Sequence, residues 1–207
     1  MPTKLKLAQQ ARMLLGNRPS LQEMILATNQ AYAYVVRTNW WTNRNQGELD
    51  SINGNFIYAF DDNDILLDVK KNIYYSVLPS SFLGNIPHEQ GLHHVSYMES
   101  LDQPFIRISN GMSALFQGLQ SSNFDGYETF FVENNKIYLP DIDVHTVCTS
   151  KLLIKLVVAL EGLDEQAEIS IPPDLQYEIV NLAIKMYSQE QNKSVIQSAP
   201  VEAGKKT

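Results

Sequence analysis

The chain has 207 residues, of which 44% are hydrophobic and 19% are charged, and its formal net charge at pH 7 is −7. This composition excludes a wholly disordered chain, a collagen and a coiled coil, and the negative charge argues against a general nucleic-acid-binding protein, which needs a basic surface. A single cysteine, Cys148, excludes an internal disulfide.

Two helices are predicted at the N-terminus. Apolar residues recur at helical spacing over residues 3–15, and Gly16 then ends the first helix. Ser20 and Glu23 have the spacing of a capping box, in which each side chain accepts a hydrogen bond from the backbone of the other. The second helix is therefore expected to follow at once and to cover residues 21–43.

The middle of the chain, from about residue 51 to residue 160, has the pattern of β-strands, because β-branched and aromatic runs alternate with turn residues. An acidic turn is expected at residues 61–64, and Asn134-Asn135 suits a tight type I′ turn. The last strand is expected to bury one face, formed by Leu152, Ile154, Leu156 and Val158. The expected strands cover residues 55–60, 72–78, 94–98, 105–108, 129–133, 136–139 and 149–158.

A third helix is predicted to begin near Pro173, because proline is favoured at the first helical position. Its apolar stripe consists of Leu175, Ile179, Leu182, Ala183 and Met186. We therefore predict an α+β protein in which a helical core of residues 1–46 and 165–190 carries a large antiparallel β-rich insertion, residues 47–164. Residues 191–207 are polar and are expected to form a flexible tail.

Charge is unevenly distributed along this plan. Residues 1–46 carry six basic side chains against Glu23 alone, whereas residues 47–143 carry fourteen acidic side chains against four basic ones. A basic end and an acidic body can attract each other between copies of a protein. Taken alone, however, the imbalance favours an ordinary solvated surface.

The sequence contains no pattern that indicates catalysis. His88, His93 and His94 lie in a segment similar to the helix of zinc proteases, but His93 and His94 follow His88 by five and six residues, whereas that helix needs two histidines four residues apart. His145 and Cys148 form an isolated pair. The motifs of phosphate-binding loops, dinucleotide-binding domains and serine hydrolases are missing. We expect no catalytic residue, no cofactor and no metal, and therefore a protein that is not an enzyme.

Trp40 and Trp41 lie near the end of the second helix, between Arg37 and Arg44. Adjacent helical residues point about 100° apart, so the two indoles cannot share one narrow stripe. Two arrangements remain open. Both indoles are buried between the helix and the insertion, or one packs on the β-rich module and the other anchors a contact or stacks on an arginine.

Several stretches carry a resemblance to a known family. They are Tyr74-Tyr-Ser-Val-Leu-Pro, Leu83-Gly-Asn-Ile-Pro-His-Glu-Gln-Gly-Leu-His-His-Val, Gln103-Pro-Phe-Ile-Arg-Ile, Tyr127-Glu-Thr-Phe-Phe-Val-Glu-Asn-Asn-Lys-Ile-Tyr-Leu and Ile171-Pro-Pro-Asp-Leu-Gln-Tyr-Glu-Ile-Val. In these stretches the chain resembles virion proteins of tailed phages that infect Bacteroidetes, including crAss-like phages. Similar proteins are head-to-tail adaptors, or ring proteins, that stack under the portal, usually as dodecamers.

The resemblance implies a structural protein of the phage connector, located in the virion and, during assembly, in the host cytoplasm. The implied partners are copies of itself, the portal protein and other connector or tail proteins. DNA would pass through the lumen without sequence-specific binding, and no membrane is involved. On this basis Arg37, Trp40, Trp41 and Arg44 are candidate contacts with another subunit or with the portal. The alternative is a carbohydrate- or protein-binding β-module of a phage tail, which predicts aromatic side chains exposed on one sheet face.

Overall fold

The computed structural model describes residues 2–46, 54–84, 86, 91–109, 128–140, 142 and 150–198. Internal contacts divide the chain into two units, one formed by Met1–Asn55 with Leu163–Thr207 and the other by Phe56–Gly162. Among the described residues the first unit is built mainly from helices and the second mainly from strands, with one short 3-10 turn at the boundary, Gly54–Phe56, and another at Leu160–Gly162. The protein is therefore of the α+β class, as the sequence predicts.

The helical unit contains α1 (Lys4–Leu14), α2 (Leu21–Asn45) and α3 (Pro173–Ser198). The predicted capping box at the start of α2 is confirmed. The backbone N–H of Ser20 donates to the Glu23 carboxylate at 2.7 Å, and the backbone N–H of Glu23 donates to the Ser20 hydroxyl at 3.2 Å. These bonds satisfy N–H groups that the first turn of a helix leaves without partners.

Each of the three helices packs against the other two. Ala8 and Ala11 of α1 are fully buried and small, so they allow close approach of the neighbouring helices. The fully buried apolar side chains of this unit are Leu7, Ala8, Ala11, Met24, Ala31, Tyr32, Val35, Val36, Trp40, Ile179 and Ala183, together with Ile169 before α3.

Helix α3 buries a different face from the predicted one. Ile179 and Ala183 are buried as expected, but Val180 is buried as well, whereas Leu182 is only partly buried. Leu175 and Met186 are also partly exposed. The apolar residues of α3 are compatible with two overlapping stripes, and packing against α1 and α2 selects the one that contains Val180.

Helix α3 also extends past residue 190, where the flexible tail was expected to begin, and reaches Ser198. Polar composition was the basis of that expectation. Residues 191–198 nevertheless contain no glycine or proline, and the next proline is Pro200. The helix can therefore continue without losing a backbone hydrogen bond until it approaches this proline. Residues 199–207 lie outside the described part of the chain.

In its described residues, the second unit has the strands β1 (Ile57–Asn63), β2 (Leu66–Asp68), β3 (Ile73–Val77), β4 (Leu92–Tyr97), β5 (Ile106–Arg107), β6 (Thr129–Glu133), β7 (Lys136–Leu139) and β8 (Leu152–Val157). They form a three-stranded sheet in the order β1-β8-β4 and a five-stranded sheet in the order β2-β3-β7-β6-β5. All pairings are antiparallel except that of β5 with β6, which is parallel. The pairings are thus mainly antiparallel, as expected for the insertion, and the second sheet is mixed because it contains this one parallel pair.

The central strand of the first sheet, β8, is buried on both faces. The predicted face of Leu152, Ile154, Leu156 and Val158 is buried, and Leu153 and Val157 on the opposite face are buried as well. The predicted acidic turn at residues 61–64 is replaced, because β1 continues to Asn63 through an irregular pairing. Asp62 adopts a positive φ of 58° there, and the Asn63 side chain donates a hydrogen bond to the Leu152 carbonyl at 3.0 Å. This local distortion is a β-bulge, which a sequence pattern cannot distinguish from a turn.

The hairpin of β6 and β7 is the local prediction that the structure matches best. Asn134 and Asn135 have φ angles of 50° and 62°, as a type I′ turn requires at both central positions. Beside the turn, the rings of Phe131 and Tyr138 stack with centroids 5.1 Å apart. The hairpin is therefore fixed by turn geometry and by an aromatic cross-strand pair.

Candidate interaction site

The helical unit exposes large apolar side chains in two places. Within the described residues, the most exposed of these side chains are Met13, Leu14, Leu26, Tyr34, Trp41 and Tyr177. Three of them lie on α2, and the other three lie where the end of α1 meets the start of α3. Contiguous exposed apolar surface on a soluble protein marks a site of interaction.

The first surface is the outer face of α2. Leu26, Tyr34 and Trp41 are each slightly more than half exposed, at 52%, 53% and 54%. Their spacings of eight and seven residues place them on one side of the helix, because two helical turns span about seven residues. We call this surface the α2 ridge, and it consists of Leu26, Gln30, Tyr34, Arg37, Trp41 and Arg44.

The two tryptophans of α2 have opposite environments. Trp40 is 1% exposed and belongs to the core, whereas Trp41 belongs to the ridge. The arrangement in which both indoles are buried is therefore wrong, and one indole is exposed, as the other arrangement requires. The Arg44 guanidinium lies 5.7 Å from the ring centroid of Trp40, so the arginine lies beside the buried indole.

The second surface is a groove of about 440 Å³ between the last turns of α1 and the first turns of α3. Met13, Leu14 and Tyr177 are exposed by 66% to 71% and form its most accessible part. We call this surface the α1–α3 groove, and it is lined by Gln10, Met13, Leu14, Pro173, Gln176, Tyr177 and Val180. No residue of α2 lines it.

The charges beside these surfaces have opposite signs. From residue 24 to residue 46, α2 and its end carry Arg37 and Arg44 and no acidic residue. From residue 163 to residue 184, the chain carries five acidic residues and no basic one, and Asp174 and Glu178 lie on either side of Tyr177 in the sequence. Both of these carboxylates are exposed. The ridge is therefore basic toward its C-terminal end, and the groove has an acidic border on its α3 side, whereas α1 carries basic charges only, with Arg12 in its last turn.

Sequence reasoning found the ridge in part and missed the groove. The four candidates Arg37, Trp40, Trp41 and Arg44 lie on one helix, and three of them belong to the ridge, while Trp40 supports it from the core. The groove is built from two segments that are far apart in the sequence. In the sequence, the groove is indicated only by the apolar residues Met13 and Leu14 at the end of the first predicted helix. These two residues lie outside the apolar stripe that was expected to face the core.

The described residues hold no group of three or more histidine, cysteine, aspartate or glutamate side chains that could bind a metal ion. His88, His145 and Cys148 lie outside the described residues. His94 Nε2 lies 3.0 Å from the Ser96 hydroxyl, and burial, followed by the charges of Lys155 and His93, lowers the pKa of His94. His94 is part of a β-strand and its ring contacts a serine hydroxyl, so its surroundings are those of a histidine that stabilises the fold.

None of the described helices has both the length and the apolar character that crossing a membrane requires. A scan against protein-family models found no family that matches the chain, and a search of curated proteins found no match either.

Proposed function

We propose that this protein is a structural virion protein that forms a ring in the phage head-to-tail connector and joins the portal to the next ring or tail component. The observation that carries the proposal is the pair of exposed apolar surfaces, the α2 ridge and the α1–α3 groove, on one helical unit. A subunit inside a ring has a neighbour on each side and needs two such surfaces. The assignment of this ring to the phage virion rests on the resemblance to connector proteins of tailed phages.

The distribution of exposed aromatic residues favours assembly over the alternative of a carbohydrate-binding β-module. Among the described residues, the aromatic side chains exposed by more than half are Tyr34, Trp41 and Tyr177, and all three lie on helices. A glycan-binding sheet would present such rings on a sheet face. The helices, and not the sheets, therefore offer the aromatic anchors that dominate protein–protein contacts.

In this proposal the protein acts by its shape and charge and catalyses no reaction. Its partners are other copies of the chain, the portal protein and neighbouring connector or tail proteins, and DNA passes through the ring without sequence-specific contacts. The acidic net charge fits a lumen through which DNA moves, because a negatively charged wall does not hold the phosphate backbone.

The test is to mix the purified protein with the portal complex of its phage at low salt and to image the product by electron microscopy. We expect a stoichiometric additional ring on the portal. Trp41→Ala is expected to weaken ring formation, while Leu101→Ala, which removes a similarly exposed apolar side chain from the β-rich unit, serves as the matched control. Absence of binding at low salt, where complementary charges attract most strongly, together with binding of a glycan by a monomer, would contradict the proposal.

A further inference from the structure

The side chains of the α2 ridge are spaced like those of helices that pack against other helices. Leu26, Gln30 and Tyr34 are four residues apart, and side chains at this spacing form a continuous ridge along a helix. Such ridges pack into grooves between the side chains of neighbouring helices. Tyr34 and Trp41 also provide large and rather rigid side chains, which are favoured as anchors of interfaces.

The ridge and the groove of one copy face different directions. Helix α2 packs its buried face against both α1 and α3, so the ridge on its exposed face points away from both helices. The α1–α3 groove is formed by those two helices with no residue of α2. A copy therefore cannot place its own ridge in its own groove, and a contact between the two surfaces requires a second copy.

The charges give this contact a direction. Arg37 and Arg44 lie toward the Trp41 end of the ridge, and Asp174 and Glu178 lie beside Tyr177 at the groove. Opposite charges at the border of an interface steer association and disfavour the reversed orientation. The single acid of the ridge helix, Glu23, lies at its other end, where the backbone N–H of Ser20 donates to its carboxylate.

From these three observations we propose that the α2 ridge of one copy docks in the α1–α3 groove of the next copy, with Trp41 near Tyr177. The biological setting of this contact rests on the proposed function. The contact joins two different surfaces, so in a dimer one copy still offers a free groove and the other still offers a free ridge. Such a heterologous contact extends from copy to copy and generates a ring when the rotation between copies closes.

Two double variants test the contact. Tyr34→Glu with Trp41→Glu blocks the ridge, and Met13→Glu with Tyr177→Glu blocks the groove. All four side chains are more than half exposed, so folding is expected to be preserved, and thermal unfolding followed by circular dichroism checks this. The control is Leu67→Glu with Val69→Glu, which places the same charges on exposed apolar positions of the β-rich unit.

Sedimentation velocity over a wide range of protein concentrations at low salt provides the measurement. We expect the unmodified protein and the control variant to form multimers as concentration rises, and each blocked variant alone to associate at least about tenfold more weakly. An equimolar mixture of the two blocked variants is expected to form dimers and nothing larger. In that mixture the intact ridge of one variant can bind the intact groove of the other, and no further surface is free.

The contact is excluded if the unmodified protein stays monomeric at every concentration, if either blocked variant associates like the control, or if the mixture forms no dimers. Portal binding by the same variants separates this inference from the proposed function. If the mixture forms dimers but the unmodified protein adds no ring to the portal, the function is wrong and the contact stands. If the blocked variants still form the portal ring, the contact is wrong and the function stands.

Discussion

The indole rings of Trp40 and Trp41 pack edge to face, with centroids 4.8 Å apart and ring planes at 86°, although one is buried and the other is exposed. The buried indole is fixed in place by its burial and supports the exposed one through this contact. An exposed ring that is already held by a neighbour loses less side-chain freedom when a partner binds it. The pair therefore connects the core of the unit to its interaction surface.

The two tryptophans are expected to differ in their effect on stability. Trp40→Ala removes a buried side chain and should lower the free energy of unfolding by about 3–5 kcal/mol. Trp41→Ala removes only an exposed ring and its edge-to-face contact, which is worth about 0.5–1.5 kcal/mol. Urea unfolding of both variants measures the difference, and equal losses would contradict the assigned burial.

The buried face of α3 can be tested with a pair of substitutions. Ile179 is fully buried, so Ile179→Ala should lower the free energy of unfolding by about 2–5 kcal/mol. Leu182 was expected in the core from the sequence but is only partly buried, so Leu182→Ala should cost clearly less. The same chemical denaturation measures both variants. A larger loss for Leu182→Ala would mean that α3 packs with the originally predicted stripe inward.

The stability of the protein should depend on the protonation of His94. Burial and the charges of Lys155 and His93 lower the pKa of His94 in the folded state, below its ordinary value of about 6.5. The unfolded chain then binds the proton more readily, so this histidine makes the free energy of unfolding fall as pH drops below about 6.5. His94→Gln keeps a polar group near Ser96 and should flatten the pH dependence between about pH 7.5 and pH 5.5. Urea unfolding across this range tests it, and an unchanged slope would exclude His94 as the cause.

The Asn134-Asn135 turn should discriminate between alanine and glycine. Asn135 has a φ of 62°, a conformation that asparagine tolerates and that costs alanine about 1–2 kcal/mol. Asn135→Ala is therefore expected to lower the thermal stability of the protein, whereas Asn135→Gly should preserve or raise it, because Asn-Gly is the preferred type I′ pair. Differential scanning calorimetry of both variants makes the comparison. Equal midpoints for the two variants would show that the turn is not held in this conformation.

The sequence by itself determined the features that depend on neighbouring residues. Ser20 and Glu23 specify the start of α2, and Asn134-Asn135 specifies a hairpin, because capping and turn formation involve groups only a few residues apart. The alternation of helical and strand patterns likewise determined the α+β class.

Only the tertiary structure decided which apolar residues are buried and which form a surface. Trp40 and Trp41 are identical in type and adjacent in sequence, and their burial differs because the side of α2 that carries Trp40 is covered in the folded protein, whereas the side that carries Trp41 faces solvent. The groove exists because Met13 and Tyr177, from opposite ends of the chain, are brought together by helix packing. Helical periodicity defines an apolar face, but only contacts between distant segments determine how much of that face is covered.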